Sequence, residues 1–363
     1  MNIVLEREKL LQVLSKINAS FSSKNNLFTS SVVLFEFLDK KLRVSATDLE
    51  LSLSAEIAIT NTQKVSICIP FKKVFMLIKE LNSPHLEIEI AEEKMSIRCE
   101  NCEYNLNGFS KEKFPKISIP KDRIAIKFDS QILAEMIDLT KFCVFIGETN
   151  YVLAGILLEL EKNEIKMVAT DGKRLAFCYR KIPPFQPELN RKISVIVPLR
   201  AINEVRRLLG GGVILVAGSN QIEFNINNVQ VITQLIEGEY PEYNKYIPAE
   251  SENKLKVKRE DFLSSLRRVS ILTTPDYPGV KMSIEENNLV ISKHIPNLGS
   301  LKEELNVEYS GPNITFGFNP QYLIDVLKVL NKDTVEFNIY GPESAVVVRE
   351  TGYIYLALPM KLD

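Results

Sequence analysis

Few residues in this chain have the types and spacing that chemistry requires. Its only histidines, His85 and His294, lie far apart. A metal site needs several ligands at fixed spacing, so each reads as an exposed or satisfied side chain. Cys99-Glu-Asn-Cys102 is a CxxC, able in principle to ligate zinc or to cycle between dithiol and disulfide. No second pair completes a zinc site. The flanking Ile97 and Tyr104-Asn-Leu106 are strand-like, whereas a thioredoxin-type motif precedes a helix. Gly210-Gly-Gly212 would have to precede a helix to cradle phosphate. It instead follows the run holding Arg206 and Arg207, without a Lys-Ser/Thr pair, and reads as a helix C-cap and turn. Ala46-Thr-Asp48 and Ala169-Thr-Asp171 recur 123 residues apart, each ending a strand-like run. An aspartate bonding its own backbone in a turn accounts for both. No carboxylate pair repeats as an acid–base couple. The residues therefore predict no catalytic centre, no metal and no cofactor.

The elements around these residues repeat. Leu5-Glu-Arg-Glu-Lys-Leu-Leu11, Phe128-Asp-Ser-Gln-Ile-Leu-Ala134 and Val257-Lys-Arg-Glu-Asp-Phe-Leu263 each close a short β-like run and open an amphipathic one. A second helical window recurs at 70–81, 198–209 and 319–330, with apolar residues coinciding at Val74/Ile202/Leu323, Leu77/Val205/Val326 and Leu81/Leu209/Leu330. Spacing of i, i+3, i+7 is one face of an α-helix. With 6–18, 129–141 and 258–270 the chain has six helical windows, two per copy of roughly 121 residues. Between them lie alternating runs joined by polar turns, such as Ser31–Leu38 with Leu42–Ala46, Gly155–Leu160 with Ile165–Ala169, and Val280–Ile284 with Leu289–Ser292. These read as antiparallel hairpins. The expected fold is α+β: three repeated domains of antiparallel sheet with two helices each, spanning 1–122, 123–250 and 251–363. The joins are drawn at polar segments that follow Pro120 and Pro248.

A chain of 363 residues with 45% hydrophobic and 25% charged content can bury sizeable cores. Five cysteines in no paired framework suit a reducing cytoplasm, no signal peptide is visible at the N-terminus, and no apolar run is long enough to span a membrane. The net charge of −1 argues against nucleic-acid binding over the whole surface, yet four of the six helical windows are net basic. Lysine and arginine are good helix formers in any case, so charge alone decides little. Joined to triplication it suggests a ring. Helices about 10 Å apart enclose a hole of only about 9 Å if six line it and about 28 Å if twelve do. The two grooves of B-DNA are together about 16 Å deep, so a head-to-tail dimer forming a pseudo-sixfold ring would admit a duplex.

Five segments carry a resemblance over the full length: Val168-Ala-Thr-Asp-Gly-Lys-Arg-Leu-Ala176, Val195-Ile-Val-Pro198, Glu237-Gly-Glu-Tyr-Pro-Glu-Tyr243, Gly317-Phe-Asn-Pro-Gln-Tyr-Leu323 and Leu358-Pro-Met-Lys-Leu362. In these the chain resembles the bacterial sliding clamps, the β subunits of DNA polymerase III, and with them the DNA clamp fold. The resemblance implies a non-enzymatic processivity factor. Such a ring encircles duplex DNA without reading its sequence and is loaded by an ATP-driven clamp loader. It tethers the replicative polymerase, other polymerases and repair proteins through clamp-binding peptides.

Carried over, the partner-peptide cleft comprises Leu153, Thr170, Gly172, Arg174, Leu175 and Pro241, with Asn319, Tyr322, Leu358, Pro359 and Met360. Tyr246 and Tyr277 stand where relatives place apolar or aromatic side chains. Leucines, proline and methionine would form an adaptable apolar wall, and Arg174 and Asn319 could bond a peptide backbone. The terminal Leu-Pro-Met could equally be a last strand tucked into its sheet. Lys173, Lys245 and Glu343 depart from the family pattern near the cleft. For DNA the resemblance points to Lys24, Tyr151 and Arg200, and the helical reading adds Lys72, Lys73, Lys79, Arg206, Arg207, Arg267 and Arg268. At the subunit join Tyr104 and Leu106 would meet Ile271 and Leu272, with Lys72, Lys73 and Arg98 facing Glu303 and Glu304. Two other readings stay open: a nuclease-like enzyme on a triplicated scaffold, which needs clustered acids, and a protein-binding scaffold that never closes on DNA.

Overall fold

The computed structural model describes residues 2–18, 31–60, 62–117, 124–147, 149–181 and 192–361. Among them six α-helices stand at the expected windows. They are α1 (Arg7–Ile17), α2 (Phe71–Glu80), α3 (Ser130–Thr140), α4 (Leu199–Leu208), α5 (Arg259–Ser270) and α6 (Pro320–Val329). Each turns one apolar stripe inward. α1 buries Leu10, Val13, Leu14 and Ile17, and α4 buries Ala201, Ile202 and Val205. Two starts are capped by side chains. The Asp129 carboxylate accepts from the N–H groups of Gln131 (2.7 Å) and Ile132 (3.3 Å), and Asn319 accepts from Gln321 N–H (3.0 Å) with Pro320 in the first turn.

Copies one and three share a different device. Arg7 and Arg259 open α1 and α5, and their guanidinium groups donate to carbonyls in the last turn of the second helix, Ile78 (3.2 Å) and Leu327 (3.0 Å). A cation at that end satisfies orphan carbonyls and complements the helix dipole. Copy two has Ser130 there, and its hydroxyl instead accepts from Gly211 N–H (3.1 Å). Gly211 has φ +146, a backbone setting that favours glycine, so the triglycine is a helix exit as expected.

Among the described residues the strands form four antiparallel sheets. An eight-stranded sheet runs in the order Val65–Pro70, Val32–Leu38, Lys41–Thr47, Leu51–Ala58, Val229–Gln234, Gln221–Ile226, Gly212–Ala217, Ile124–Asp129. A nine-stranded sheet runs Ile193–Pro198, Gly155–Glu161, Glu164–Thr170, Arg174–Lys181, Tyr353–Ala357, Val346–Glu350, Thr334–Asn338, Lys254–Lys258, Glu308–Tyr309. Four-stranded sheets are Asn2–Glu6, His85–Ala91, Lys94–Cys99, Cys102–Asn107 and Gly299–Asn306, Asn288–Ile295, Val280–Glu285, Ile314–Phe318. Cys99 and Cys102 face each other across a hairpin whose turn holds Glu100 at φ +49, so the CxxC closes two strands and opens no helix.

Packing follows the sheets. Two compact units result: one runs to Leu133 and takes in Arg200–Leu235, and the other takes most of the remainder, including everything from Ile236 on. The first holds the eight-stranded sheet, the second the nine-stranded one. Each long sheet crosses an expected repeat boundary by backbone pairing, Leu51–Ala58 with Val229–Gln234 in one and Arg174–Lys181 with Tyr353–Ala357 in the other. Of the expected joins, the one near Lys121 lies outside the described residues. No helix among the described residues is long and apolar enough to cross a membrane.

Candidate functional site

The recurring Thr-Asp sequence builds the best-defined polar site. Strand Glu164–Thr170 ends in a tight turn where Asp171 Oδ1 accepts from the N–H groups of Lys173 and Arg174 (both 2.9 Å) and the Thr170 hydroxyl accepts from Gly172 N–H (3.1 Å). Gly172 sits at φ +86, where an L side chain is strained. The turn launches Arg174 across neighbouring elements. Its Nε meets Asp171 (2.9 Å), Nη1 meets Asp325 of α6 (2.7 Å) and Nη2 donates to the Phe142 carbonyl (2.7 Å). The guanidinium lies 4.8 Å from the Tyr322 ring centroid and 5.7 Å from that of Phe142.

Arg174 is thus held in place by three internal bonds, which orient its guanidinium within the candidate site. With its side chain only 12% exposed, all three nitrogens have partners, because a half-buried cation must be compensated where it stands. Asn319 Oδ1 caps α6, which fixes that side chain's orientation. The surrounding groups stay neutral. Burial pushes the Cys143 thiol well above its ordinary value, and burial, followed by the nearby Asp171 charge, raises the Tyr322 phenol. Burial also raises the Tyr240 phenol, whose oxygen accepts from Thr170 N–H (3.1 Å).

The C-terminal segment borders this frame. Strand Tyr353–Ala357 ends, Leu358 N–H donates to the Lys173 carbonyl (2.8 Å), and Met360 N–H donates to Gly317 (2.8 Å). Leu358, Pro359 and Met360 are therefore pinned at both ends, outside the last regular strand, with Leu358 43% exposed. Met360 and the exposed Tyr277 line one groove of about 830 Å³. Other expected wall residues are core. Leu153, Thr170 and Leu175 are buried, and Leu175 packs with Leu157, Val168, Tyr243, Val347 and Leu356, with Val152 and Tyr240 against the cluster. Pro241 and Tyr246 are exposed around a single 3-10 turn. Sequence reasoning missed Asp325 and Phe142. The available signal was that Asp325 is the one acid on α6 and stands one helical turn beyond Tyr322.

The DNA candidates divide. Lys24 lies outside the described residues. Lys72, Lys73 and Lys79 occupy the exposed face of α2, and Arg267 and Arg268 that of α5. Tyr151 is exposed. Arg206 is half-buried on α4, and Arg207 bonds Glu204 (2.8 Å) and the Lys16 carbonyl (2.6 Å). Arg200 pairs with Asp48, whose side chain is buried and whose Oδ1 caps its own turn through Glu50 and Leu51 N–H.

Of the join residues, Tyr104 and Ile271 are exposed, and Leu106 and Leu272 half-exposed. Among the expected charges, Arg98, Glu303 and Glu304 are paired within the chain. Glu303 accepts both arms of Arg268 (2.7 Å each), Arg98 pairs with Glu89 (2.9 Å) and Glu103 (3.2 Å), and Lys302 with Glu304 (2.5 Å). Among the described residues, no group of three histidine, cysteine or acidic side chains could hold a metal ion.

Residues 1–118, 127–242 and 244–360 match, in order, the N-terminal, central and C-terminal domains of the DNA polymerase III beta subunit family. The beta sliding clamp of Escherichia coli strain K12 is 27% identical over 370 residues, covering 100% of both chains. A solved sliding clamp from Pseudomonas aeruginosa, bound to griselimycin, aligns over 100% of both chains with TM-score 0.94 and 27% identity. One from Bartonella birtlesii, also bound to griselimycin, gives 0.93 at 26%, again over 100% of both chains. All three parts of the subunit are matched in register from one end to the other, and the chain belongs to the DNA polymerase III beta-subunit family, the beta sliding clamps, non-catalytic accessory subunits of the polymerase.

Proposed function

We propose that two copies of this chain, each of three clamp repeats (1–122, 123–250, 251–363), close head to tail into a ring that surrounds duplex DNA and keeps a polymerase on it. The observation that carries this is a pair of open sheet edges. Strand Cys102–Asn107 ends one four-stranded sheet and Gly299–Asn306 ends the other, and both are exposed along most of their length. An unpaired edge is a template for another strand, and proteins leave one open where a partner will cover it. Tyr104 on the first edge and Ile271 beside the second supply apolar contact. The charges at Arg98, Glu303 and Glu304, together with Lys72 and Lys73, re-pair on association, each exposed exchange being worth about 0–1 kcal/mol.

The helix lysines and arginines then face phosphates without reading bases, so the ring slides. Lys72, Lys73, Lys79 and Arg267 are the strongest candidates: all four are exposed, whereas Arg200, Arg207 and Arg268 also hold intramolecular partners. The clamp works in the cytoplasm. The region around Arg174, Tyr322, Leu358 and Met360 receives short apolar-anchored peptides of the replicative polymerase, clamp loader and repair proteins. The griselimycin-bound relatives support a ligand-accepting cleft in this family.

Retention on DNA tests the ring. After assisted loading, the protein is expected to persist on closed circles and to be lost once the circle is cut. Equal loss from both removes encirclement, and a monomeric mass at micromolar concentration favours the non-closing scaffold.

A further inference from the structure

We infer that Cys99 and Cys102 are a reversible dithiol–disulfide pair whose oxidation weakens closure of the ring. The inference rests on the proposed head-to-tail join and adds a regulation to it. The two cysteines stand directly opposite one another in the ladder of Lys94–Cys99 with Cys102–Asn107, and the two-residue turn between them holds Glu100 at φ +49. Opposed residues of an antiparallel pair have Cα atoms about 4.5–5.5 Å apart, within the roughly 4.4–6.8 Å that a disulfide spans. Both thiols are free, Cys99 buried and Cys102 exposed, whereas Cys68, Cys143 and Cys178 are all buried. Burial, followed by the Cys102 charge, pushes the Cys99 thiol up, as expected of two sulfurs on one side of a hairpin.

Cys102 begins the edge strand that a second copy would cover, and alternation puts Tyr104 and Leu106 on its side of that strand. The Cys102 charge and its hydrogen bond push the Tyr104 phenol up, so thiol and phenol are in contact. Exposure makes Cys102 the attacking sulfur. Its thiolate attacks a small-molecule disulfide and releases one thiolate. Cys99 then gives up its proton and attacks Cys102 Sγ, expelling the second thiol. One protein dithiol and one small disulfide thus become one protein disulfide and two small thiols. The bridge needs Cβ atoms about 3.8 Å apart, whereas opposed strands hold them about 4.5–5.5 Å apart. Oxidation therefore pinches the start of the edge and takes the Cys102 sulfur away from Tyr104. A second copy must match that edge rung by rung, so the pinched form pairs less well. Strain of this kind also keeps the bond reducible, which makes the device reversible.

The test incubates the full-length protein with oxidised or reduced glutathione, blocks the remaining thiols, and reads the bridge by peptide mass and association by sedimentation. The oxidised protein is expected to carry a bridge between Cys99 and Cys102, with a dimer dissociation constant raised about tenfold. Excess dithiothreitol should return both readings to those of the reduced protein. In Cys102→Ser the dissociation constant is expected to be the same with and without oxidant. Absence of the bridge at saturating oxidised glutathione, equal constants for the oxidised and reduced protein, or a weakening that persists in Cys102→Ser overturns the switch. Failure of the join itself looks different: the reduced protein is already monomeric at micromolar concentration, whether or not the bridge forms, and the regulation falls with it.

Discussion

Thr47-Asp48 and Thr170-Asp171 are one turn used twice. Asp48 and Asp171 each accept from the N–H groups two and three residues on, and each threonine hydroxyl accepts from the second N–H beyond it at 3.1 Å. Both turns also hold a left-handed residue, Leu49 at φ +79 and Gly172 at φ +86. Among their differences, the one three positions past the aspartate matters most here. Copy one places Leu51 in the core, and its aspartate captures Arg200 from a distant helix. Copy two places Arg174 there, so the same turn projects a cation that gathers Asp325, Phe142 and Tyr322. Arg174 in place of Leu51 thus joins the copy-two turn to α6 and to the segment holding Phe142.

Removing each arginine should separate the two most strongly. Arg174→Met leaves Asp171 and Asp325 facing one another without their cation, and is expected to cost about 3–5 kcal/mol in denaturant unfolding. Arg200 is 37% exposed and Asp48 keeps two backbone donors, so Arg200→Met should cost only about 1 kcal/mol. Similar losses would mean that the copy-two turn is no more than another strand ending.

Next in size is Met360→Glu, which should weaken apolar-anchored peptides at least about tenfold while leaving the unfolding midpoint in place, because Met360 is only half-buried. Leu175 is unsuitable for that test, since a charge at a core position attacks the fold first.

A smaller effect should come from the left-handed position. No atom lies within 4 Å of a Cβ built on Gly172, so Gly172→Leu is expected to cost about 1 kcal/mol from backbone strain alone. Leu49→Gly relieves the same strain and should be neutral or stabilising by less than about 1 kcal/mol.

The exposed Arg268–Glu303 pair, outside both turns, sets the lower bound. The Arg268 hydrogen bond holds the Glu303 carboxyl below its ordinary range. A depressed carboxyl contributes above its unfolded pKa and loses that contribution as pH falls through the folded value. Glu303→Gln should therefore shift the unfolding midpoint slightly near neutrality and not at all in strong acid. A shift that grows on acidification would reverse the assignment.

Periodicity made the helices legible, since a buried stripe at i, i+3 and i+7 must be written into the sequence. The aspartate turns were legible for the same local reason. What escaped was long-range. Asp325 lies 151 residues beyond Arg174, and nothing in either neighbourhood says that they meet. The pairing of Leu51–Ala58 with Val229–Gln234 is equally silent, because strand partners across a repeat are chosen by the fold. Leu153 and Leu175 carried the right apolar character, but sequence cannot say whether a leucine lines a groove or lies beneath it.

Hydrogen exchange with and without a saturating apolar-anchored peptide tests the contrast between the two turns most directly. Exchange is expected to slow at 170–175, 319–323 and 358–361 and to stay unchanged at 47–52. Equal protection of both turns, or protection at 47–52 alone, would contradict the assignment of the peptide site to the copy-two turn.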